Sequence, residues 1–322
     1  MPTAVSTTAR ARAVLVLTSI AISIVAAEGI TRLIGLQPRF GQRLFVRGVA
    51  SRVVDGVPMW APPRPRYDAE DFRRAAADRG GFKIVALGDS ILYGVSLAKE
   101  DTYLEQARGV LAGRTKRSVD ILNLAVPGYN TMQEAVAYKE IENQIQPNLV
   151  IVHYWGDDTH QYRVVGGYVV DIGNVSEEGG RLVVRAIPLP SRLNDLLLVH
   201  SRLYDMLNQV VVARNHINLP EDWTLVSRPL ADLQERVQRA GGRLLVLASP
   251  ELTDATPKSV EDLDRLQQFA ANRGIEVVDV TQWVAGVSSK TIALDGCHFN
   301  AAGHRIIGEH LADYLLQHDL KE

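Results

Sequence analysis

The chain has 322 residues, 46% of them hydrophobic and 22% charged, a balance that excludes a disordered or fibrous polypeptide and suits one large or two modest globular units. A formal net charge of -2 at pH 7, with no zinc-type spacing and no aromatic-basic RNA motif, argues against nucleic acid as a partner. The single cysteine, Cys297, excludes an internal disulfide framework and any multi-cysteine metal site, without fixing the compartment.

Residues 13–27, AVLVLTSIAISIVAA, carry no charge, follow Arg10 and Arg12, and end at Glu28. The run is short for a bilayer core that needs about 20 residues, and 28–36 extend it towards the interface. An uncleaved membrane anchor over 1–36 is the favoured reading. Cleavage after Ala27, with Val25 at the third position before the cut, would make the segment a secretory signal instead. Arg32, Arg39, Arg43, Arg47 and Arg52 outnumber the arginines before the run, so charge does not settle the orientation. Long domains translocate largely regardless of such counts, and an extracytoplasmic domain is the expectation. The same arginines suit anionic headgroups as well as a solvated linker.

Residues 37–81 are rich in Pro, Arg and Asp, as in WAPPRPRYD at 60–68, and lack sustained periodicity; they read as a linker packed on the domain that follows. From 82 to 322 the pattern changes. Apolar strands at 83–88, 119–124, 148–155, 243–248 and 275–280 alternate with amphipathic helices at 101–113, 131–144, 227–240 and 259–273, and a last helix covers 301–317. That alternation predicts an α/β domain, a parallel sheet with helices on both faces. An insertion at about 156–226 is too long for a simple crossover. Within it GGYVVDIGN and GGRLVVRAI read as a hairpin, and 191–214 as an amphipathic helix pair or one long helix. Following the third strand's C-terminal end, the insertion is placed to form a lid or substrate wall, with a decorative role as the alternative.

The stretch KIVALGDSILYG at 83–94 ends an apolar strand in Gly88, Asp89 and Ser90. In open parallel sheets ligands bind at the carboxyl ends of the strands, so polar residues there face the ligand rim rather than the core. A serine hydroxyl is a poor nucleophile until a base takes its proton. Such a base occurs in DGCHFNAAGH at 295–304, where Asp295 and His298 are three residues apart. At that spacing the carboxylate reaches the imidazole and holds its tautomer. His298 is thereby a candidate general base for Ser90, in the arrangement that triads share across unrelated folds.

GDSILYG resembles the first block of the SGNH hydrolases, also called GDSL esterases and lipases, and DGCHFNAAGH resembles their last. NLAVPGYNT at 123–131 is similar to the second block, and VIVHYWGDDTH at 150–160 occupies the place of the third. The four blocks follow the family's order and span 82–317, so the chain resembles a membrane-anchored member. The resemblance implies a three-layer α/β/α flavodoxin-like sandwich with a central five-stranded parallel sheet, and ester hydrolysis that uses no metal or cofactor. It implies Ser90 as nucleophile, His298 as base, Asp295 as its partner, and the backbone N–H groups of Ser90 and Gly128 as oxyanion donors. Lacking Cβ, Gly128 lets the main chain approach the developing negative oxygen closely.

The third block departs from the family, which has Asn where this chain has Asp157, followed by Asp158. An ionised carboxylate has no proton to donate to an oxyanion. Three accounts stand: reliance on the two backbone donors, which is favoured; a protonated Asp157 that still donates; or a site altered towards transfer or binding. Asp89, Asp158 and Trp155 are candidates for substrate contact. Asp89 also reads as fixing the nucleophile loop through main-chain hydrogen bonds, and Trp155 equally as a core residue. Asp157, Asp158 and His160 cluster after a strand but lack a metal-ligand spacing. His153 and Tyr154 read as packing or rim residues, Cys297 as a space-filler, and His304 and His310 as a solvated or half-buried helix face.

The expected function is a membrane-tethered serine esterase that removes an acyl group, foremost acetyl, from a cell-envelope or exported glycan, or cleaves a lipid ester. An O-acyltransferase acting on an extracellular polysaccharide and a catalytically weakened assembly component are the alternatives. With 6% aromatic residues, a small site is expected rather than an extended aromatic cleft. The sequence names no protein partner.

Overall fold

The computed structural model describes residues 7–34, 52–62, 64–77, 80–159, 162–165, 168–171, 175–178, 181–184, 187, 189–214, 222–249, 252 and 257–320. In chain order the elements begin with α1 (Thr7–Leu33), the short strands β1 (Arg52–Val54) and β2 (Val57–Met59), α2 (Ala69–Ala76) and β3 (Phe82–Gly88). The one-turn α3 (Ser90–Tyr93), α4 (Tyr103–Ala112), β4 (Val119–Asn123), α5 (Thr131–Ile141) and β5 (Leu149–Tyr154) follow. Next come β6 (Tyr162–Val165), β7 (Tyr168–Asp171), β8 (Val175–Glu178), β9 (Arg181–Val184), α6 (Ser191–His200) and α7 (Arg202–Arg214). The chain closes with α8 (Thr224–Arg239), β10 (Arg243–Ala248), α9 (Pro257–Ala271), β11 (Glu276–Asp279), the single turn α10 (Ser289–Ile292) and α11 (Ala301–His318).

Two compact units divide the chain. One comprises residues 1–47 and 162–220, the other residues 48–161 and 221–322. The larger unit is built on a parallel sheet of order β11-β10-β5-β3-β4. Its strands are apolar almost throughout because both faces are covered. Successive residues of β3 show the period of two: Ile84 and Ala86 pack with Tyr103 and Leu104 of α4 and Ile307 and Leu311 of α11. Val85 and Leu87 pack on the other face with Tyr138 of α5, Leu230 and Leu233 of α8 and Leu266 of α9. The expected α/β fold with a five-stranded parallel sheet is therefore present. The chain passes from β3 outwards to β4 and returns to β5 on β3's other side, so the order reverses beside β3, where open sheets of this kind open a crevice at the strand ends.

The Pro-rich segment before the sheet is more structured than its composition suggests. Residues 52–59 form an antiparallel hairpin, and α2 begins with a capping box in which Asp68 and Asp71 each accept from the other's backbone. Met59 and Trp60 are buried. The stretch 37–81, expected as a linker packed on the domain, thus contains a hairpin and a capped helix, while 35–51 lie outside the described residues.

In the smaller unit, α1 has a stretch Ala11–Leu33 of mean hydropathy 2.2, long and apolar enough to cross a membrane. The expected single hairpin is instead two, β6 with β7 and β8 with β9. The registers Val165↔Tyr168 and Glu178↔Arg181 leave only a Gly-Gly pair between the strands of each hairpin. Residues 191–214 form two helices that break at Ser201. At that break Glu28 of α1 accepts hydrogen bonds from the Ser201 hydroxyl (2.8 Å) and the N–H groups of Arg202 (3.1 Å) and Leu203 (2.9 Å). Arg32, ion-paired with Glu28 at 2.7 Å, donates to the His200 carbonyl at 2.6 Å. The two charges satisfy orphan backbone groups at the end of α6 and the start of α7.

Candidate active site

Three loops meet at the C-terminal ends of β3 and β4. The first is the sharp turn from β3 into α3. Gly88 allows it, because a Cβ there would lie 2.7 Å from the Leu92 Cβ and 3.1 Å from that of His153. Asp89 caps α3 by accepting from the Ile91 N–H at 2.7 Å. Ser90 follows as the first helical residue, half-buried.

The second loop carries the base. Asp295 Oδ1 accepts from the backbone N–H groups of Cys297 (3.0 Å) and His298 (2.8 Å), folding the loop around its own carboxylate. Its Oδ2 lies 2.8 Å from His298 Nδ1, and on the ring's far side His298 Nε2 lies 2.8 Å from Ser90 Oγ. Partial desolvation pushes the Asp295 carboxyl up, but the two N–H groups and the imidazole outweigh it and hold it well below the usual carboxylate range. Asn300 caps α11 immediately afterwards, accepting from the Ala302 and Gly303 N–H groups.

The third loop follows β4. Pairing with β3 continues past the strand end through Leu124 N–H to the Ala86 carbonyl (2.8 Å) and Val126 N–H to the Gly88 carbonyl (3.0 Å), which delivers Pro127 and Gly128 beside the nucleophile turn. Tyr129 N–H returns to the Val126 carbonyl at 3.0 Å, and Gly128 has φ +82°. This is a type II turn, which takes Pro at its second position and needs positive φ at its third.

Beneath the nucleophile turn lies a buried polar cluster. Tyr103 Oη is 2.7 Å from His153 Nδ1, Ser249 Oγ is 2.8 Å from His153 Nε2, and Tyr103 N–H donates to His304 Nδ1 at 3.0 Å. Burial pushes His153 down to about 3, with the nearby His304 adding to the effect. His304 is pushed down to about 4 by burial, then by Arg66 and His298. Both are neutral structural imidazoles. His304 is 1% exposed, which corrects its assignment to a solvated or half-buried face.

The structure thus brings Ser90, His298 and Asp295 together and sets Gly128 beside them. Asp89 and Asp158, candidates for substrate contact, are instead buried, Asp89 as a helix cap and Asp158 accepting from the Thr131 hydroxyl at 2.7 Å. Trp155 is half-buried and packs on the α4–α11 side of the sheet. Asp157 belongs to the 3-10 turn at 156–159 with its side chain outside the described residues, as is His160 altogether. Among the described residues, the grouping of metal-type ligands is Asp295, Cys297 and His298, within 4.8 Å of one another. Two of those three already belong to the hydrogen-bonded chain leading to Ser90.

Sequence reading missed the supports that precede the sheet. Trp60 Nε1 donates to the Pro127 carbonyl at 3.0 Å, and Tyr129 Oη donates to the Trp60 carbonyl at 2.5 Å. Arg66 donates to the carbonyls of Gly94 (2.7 Å) and Leu97 (3.0 Å) and lies 4.1 Å over the Tyr93 ring, while Tyr93 Oη donates to the Arg64 carbonyl at 2.8 Å. The available signal was a tryptophan and an arginine inside a proline-rich stretch.

The GDSL-like Lipase/Acylhydrolase family model matches residues 86–306. No curated protein matches the chain at a significant level. Among solved structures, TesA is 16% identical, with 72% of this chain and 97% of that one covered at a TM-score of 0.46. The lipase/acylhydrolase from Enterococcus faecalis is 14% identical, with 75% and 99% covered at 0.46. The acetylxylan esterase Axe2 from Geobacillus stearothermophilus is 13% identical, with 74% and 95% covered at 0.44. With about two thirds of its length matched by the family model and the blocks in the family's order, the chain belongs to the GDSL-like lipase/acylhydrolase family and is an SGNH-type serine esterase.

Proposed function

We propose that this esterase hydrolyses small acyl esters through Ser90, His298 and Asp295. The observation that carries the reading is the unbroken chain from Asp295 Oδ2 through His298 to Ser90 Oγ, 2.8 Å at each link. In it the Ser90 hydroxyl donates to His298 Nε2 while Nδ1–H faces Asp295. As Oγ attacks the ester carbonyl, the imidazole takes the hydroxyl proton, and Asp295, held ionised, stabilises the imidazolium. The N–H groups of Ser90 and Gly128 receive the oxyanion; among the described residues neither has a hydrogen-bond partner. Collapse passes the proton from His298 to the departing alcohol, and water repeats the sequence on the acyl-enzyme.

The substrate we assign is an acyl ester, foremost acetyl, on a cell-envelope or exported glycan, or a lipid ester. The support is the family's acyl-ester chemistry together with the apolar helix α1. We read α1 as a retained anchor with the catalytic unit outside the cytoplasm. The charges Glu28 and Arg32 at its C-terminal end are built into the α6–α7 corner. The test is turnover of 4-nitrophenyl acetate by the detergent-solubilised full chain: Ser90→Ala should lose at least about 10⁴-fold in kcat, and turnover unchanged in that variant would remove Ser90 from the role.

A further inference from the structure

Gly128 offers its N–H through a peptide group whose other end, the Pro127 carbonyl, is held from outside the family-matched region. In a planar trans peptide the C=O and the following N–H point in opposite directions, so fixing one aims the other. The Pro127–Gly128 peptide is the central peptide of the type II turn 126–129, and rotation of that peptide is what interconverts types I and II. Type I would leave the turn's closing hydrogen bond intact while reversing the Gly128 N–H. Glycine makes the two nearly equal in cost, since it populates either sign of φ. An oxyanion donor in this position needs something that selects one state.

Trp60 has the contacts to do so. Its indole N–H donates to the Pro127 carbonyl at 3.0 Å, and its ring lies 3.4 Å from where a Gly128 Cβ would sit. The tryptophan is in turn held: it is 4% exposed, its carbonyl accepts from Tyr129 Oη, and its ring meets the Tyr129 ring edge-on with centroids 4.8 Å apart. Gln133, locked in the capping box of α5, donates to the Pro58 carbonyl at 3.2 Å and pins the strap two residues earlier. After a flip the indole N–H would face the Gly128 N–H, donor against donor, in place of the Pro127 carbonyl that now accepts from it, which disfavours the flipped state.

We propose that Trp60 is a positioning residue that locks the Pro127–Gly128 peptide in the orientation presenting the Gly128 N–H to the oxyanion. The proposal rests on the assignment of Gly128 as oxyanion donor, and it extends the functional unit of this chain to a segment that precedes the matched residues 86–306. Trp60's hydrogen bonds with Pro127 and Tyr129 act on the oxyanion turn, so its effect falls on transition-state stabilisation and leaves the general-base chemistry intact.

The experiment compares wild type with Trp60→Phe and with the full chain carrying benzothienylalanine at position 60, which keeps the bicyclic shape and lacks only the N–H. Active sites are first counted by stoichiometric labelling with an organophosphonate, so that kcat is expressed per reactive serine. Turnover is then measured on 4-nitrophenyl acetate and on its thiono analogue, whose sulfur accepts hydrogen bonds poorly. The expected result is a fall in kcat per labelled site of about 10-fold or more, short of the 10²–10³ for complete loss of an oxyanion donor. KM should stay within about twofold, and the preference for oxygen over sulfur should shrink. A benzothienyl protein with wild-type kcat per site and an unchanged oxygen preference would overturn the lock. Ser90 that takes no phosphonate even in wild type would instead overturn the underlying triad, so the two failures are distinct.

Discussion

The two loops that flank Ser90 are held in opposite ways. The His298 loop is self-contained: Asp295, three residues before the imidazole, folds the loop with one oxygen and orients the ring with the other. The Gly128 loop is held at a distance, by β3 through Ala86 and Gly88 and by Trp60, 67 residues earlier in the chain. A locally closed loop keeps its geometry wherever the backbone delivers it, whereas a remotely braced one depends on packing that another segment completes. The base should thus be robust to changes elsewhere, and the oxyanion corner sensitive to them.

The sharpest way to break the local loop is Asp295→Asn. The amide keeps the size but presents an N–H to one partner and favours the wrong imidazole tautomer, so kcat should fall by about 10³–10⁴. Turnover of 4-nitrophenyl acetate measures it, and a loss under tenfold would mean that His298 is oriented by something else. The remote loop breaks more mildly with Gly128→Ala. At φ +82° an L-residue is strained, and the new methyl would meet the Trp60 ring at 3.4 Å. A kcat loss of about 10²–10³ with little change in KM is expected; an equal rise in KM would indicate a lost substrate contact instead.

The smallest effect concerns the floor beneath both loops. His153 and His304 have values of about 3 and 4, against about 6.5 in an unfolded chain. Between about pH 4 and 6.5 the unfolded state therefore binds more protons, and stability must fall as the pH is lowered through that window. Each histidine contributes a slope approaching about 1.4 kcal/mol per pH unit. His304→Asn, which keeps an acceptor for the Tyr103 N–H, should remove about one proton from the difference. Urea unfolding at pH 7 and pH 5 reads this out: a variant as acid-sensitive as wild type would mean that His304 is not held neutral.

The same contrast explains what could be read from the sequence. The five core strands stand within one or two residues of their expected positions, because strands buried on both faces are apolar runs that need no partner to be recognised. Ser90, Asp295 and His298 were legible for a related reason: each lies in a short segment whose geometry is set by its own residues. Trp60 and Arg66 were not, since a proline-rich stretch without periodicity gives no hint of the carbonyls it will meet across the fold. Asp89 holds the nucleophile turn through a main-chain hydrogen bond, the second of its two readings, and Asp158 is buried against the Thr131 hydroxyl, because a carboxylate near a strand end looks the same in sequence whether it faces ligand or holds a loop. The expected single hairpin is two, β6 with β7 and β8 with β9, because strands of four residues carry too few positions for the pairing to be read from sequence.

The most direct test of the central claim is labelling of the full chain by a fluorophosphonate, followed by peptide mass spectrometry of wild type and His298→Ala. This probe needs an activated serine and no knowledge of the natural ester. The account predicts a single adduct on Ser90 that forms in wild type and is slowed by at least about 10³-fold in His298→Ala. An adduct on any other serine, or equal labelling in the two proteins, would contradict it.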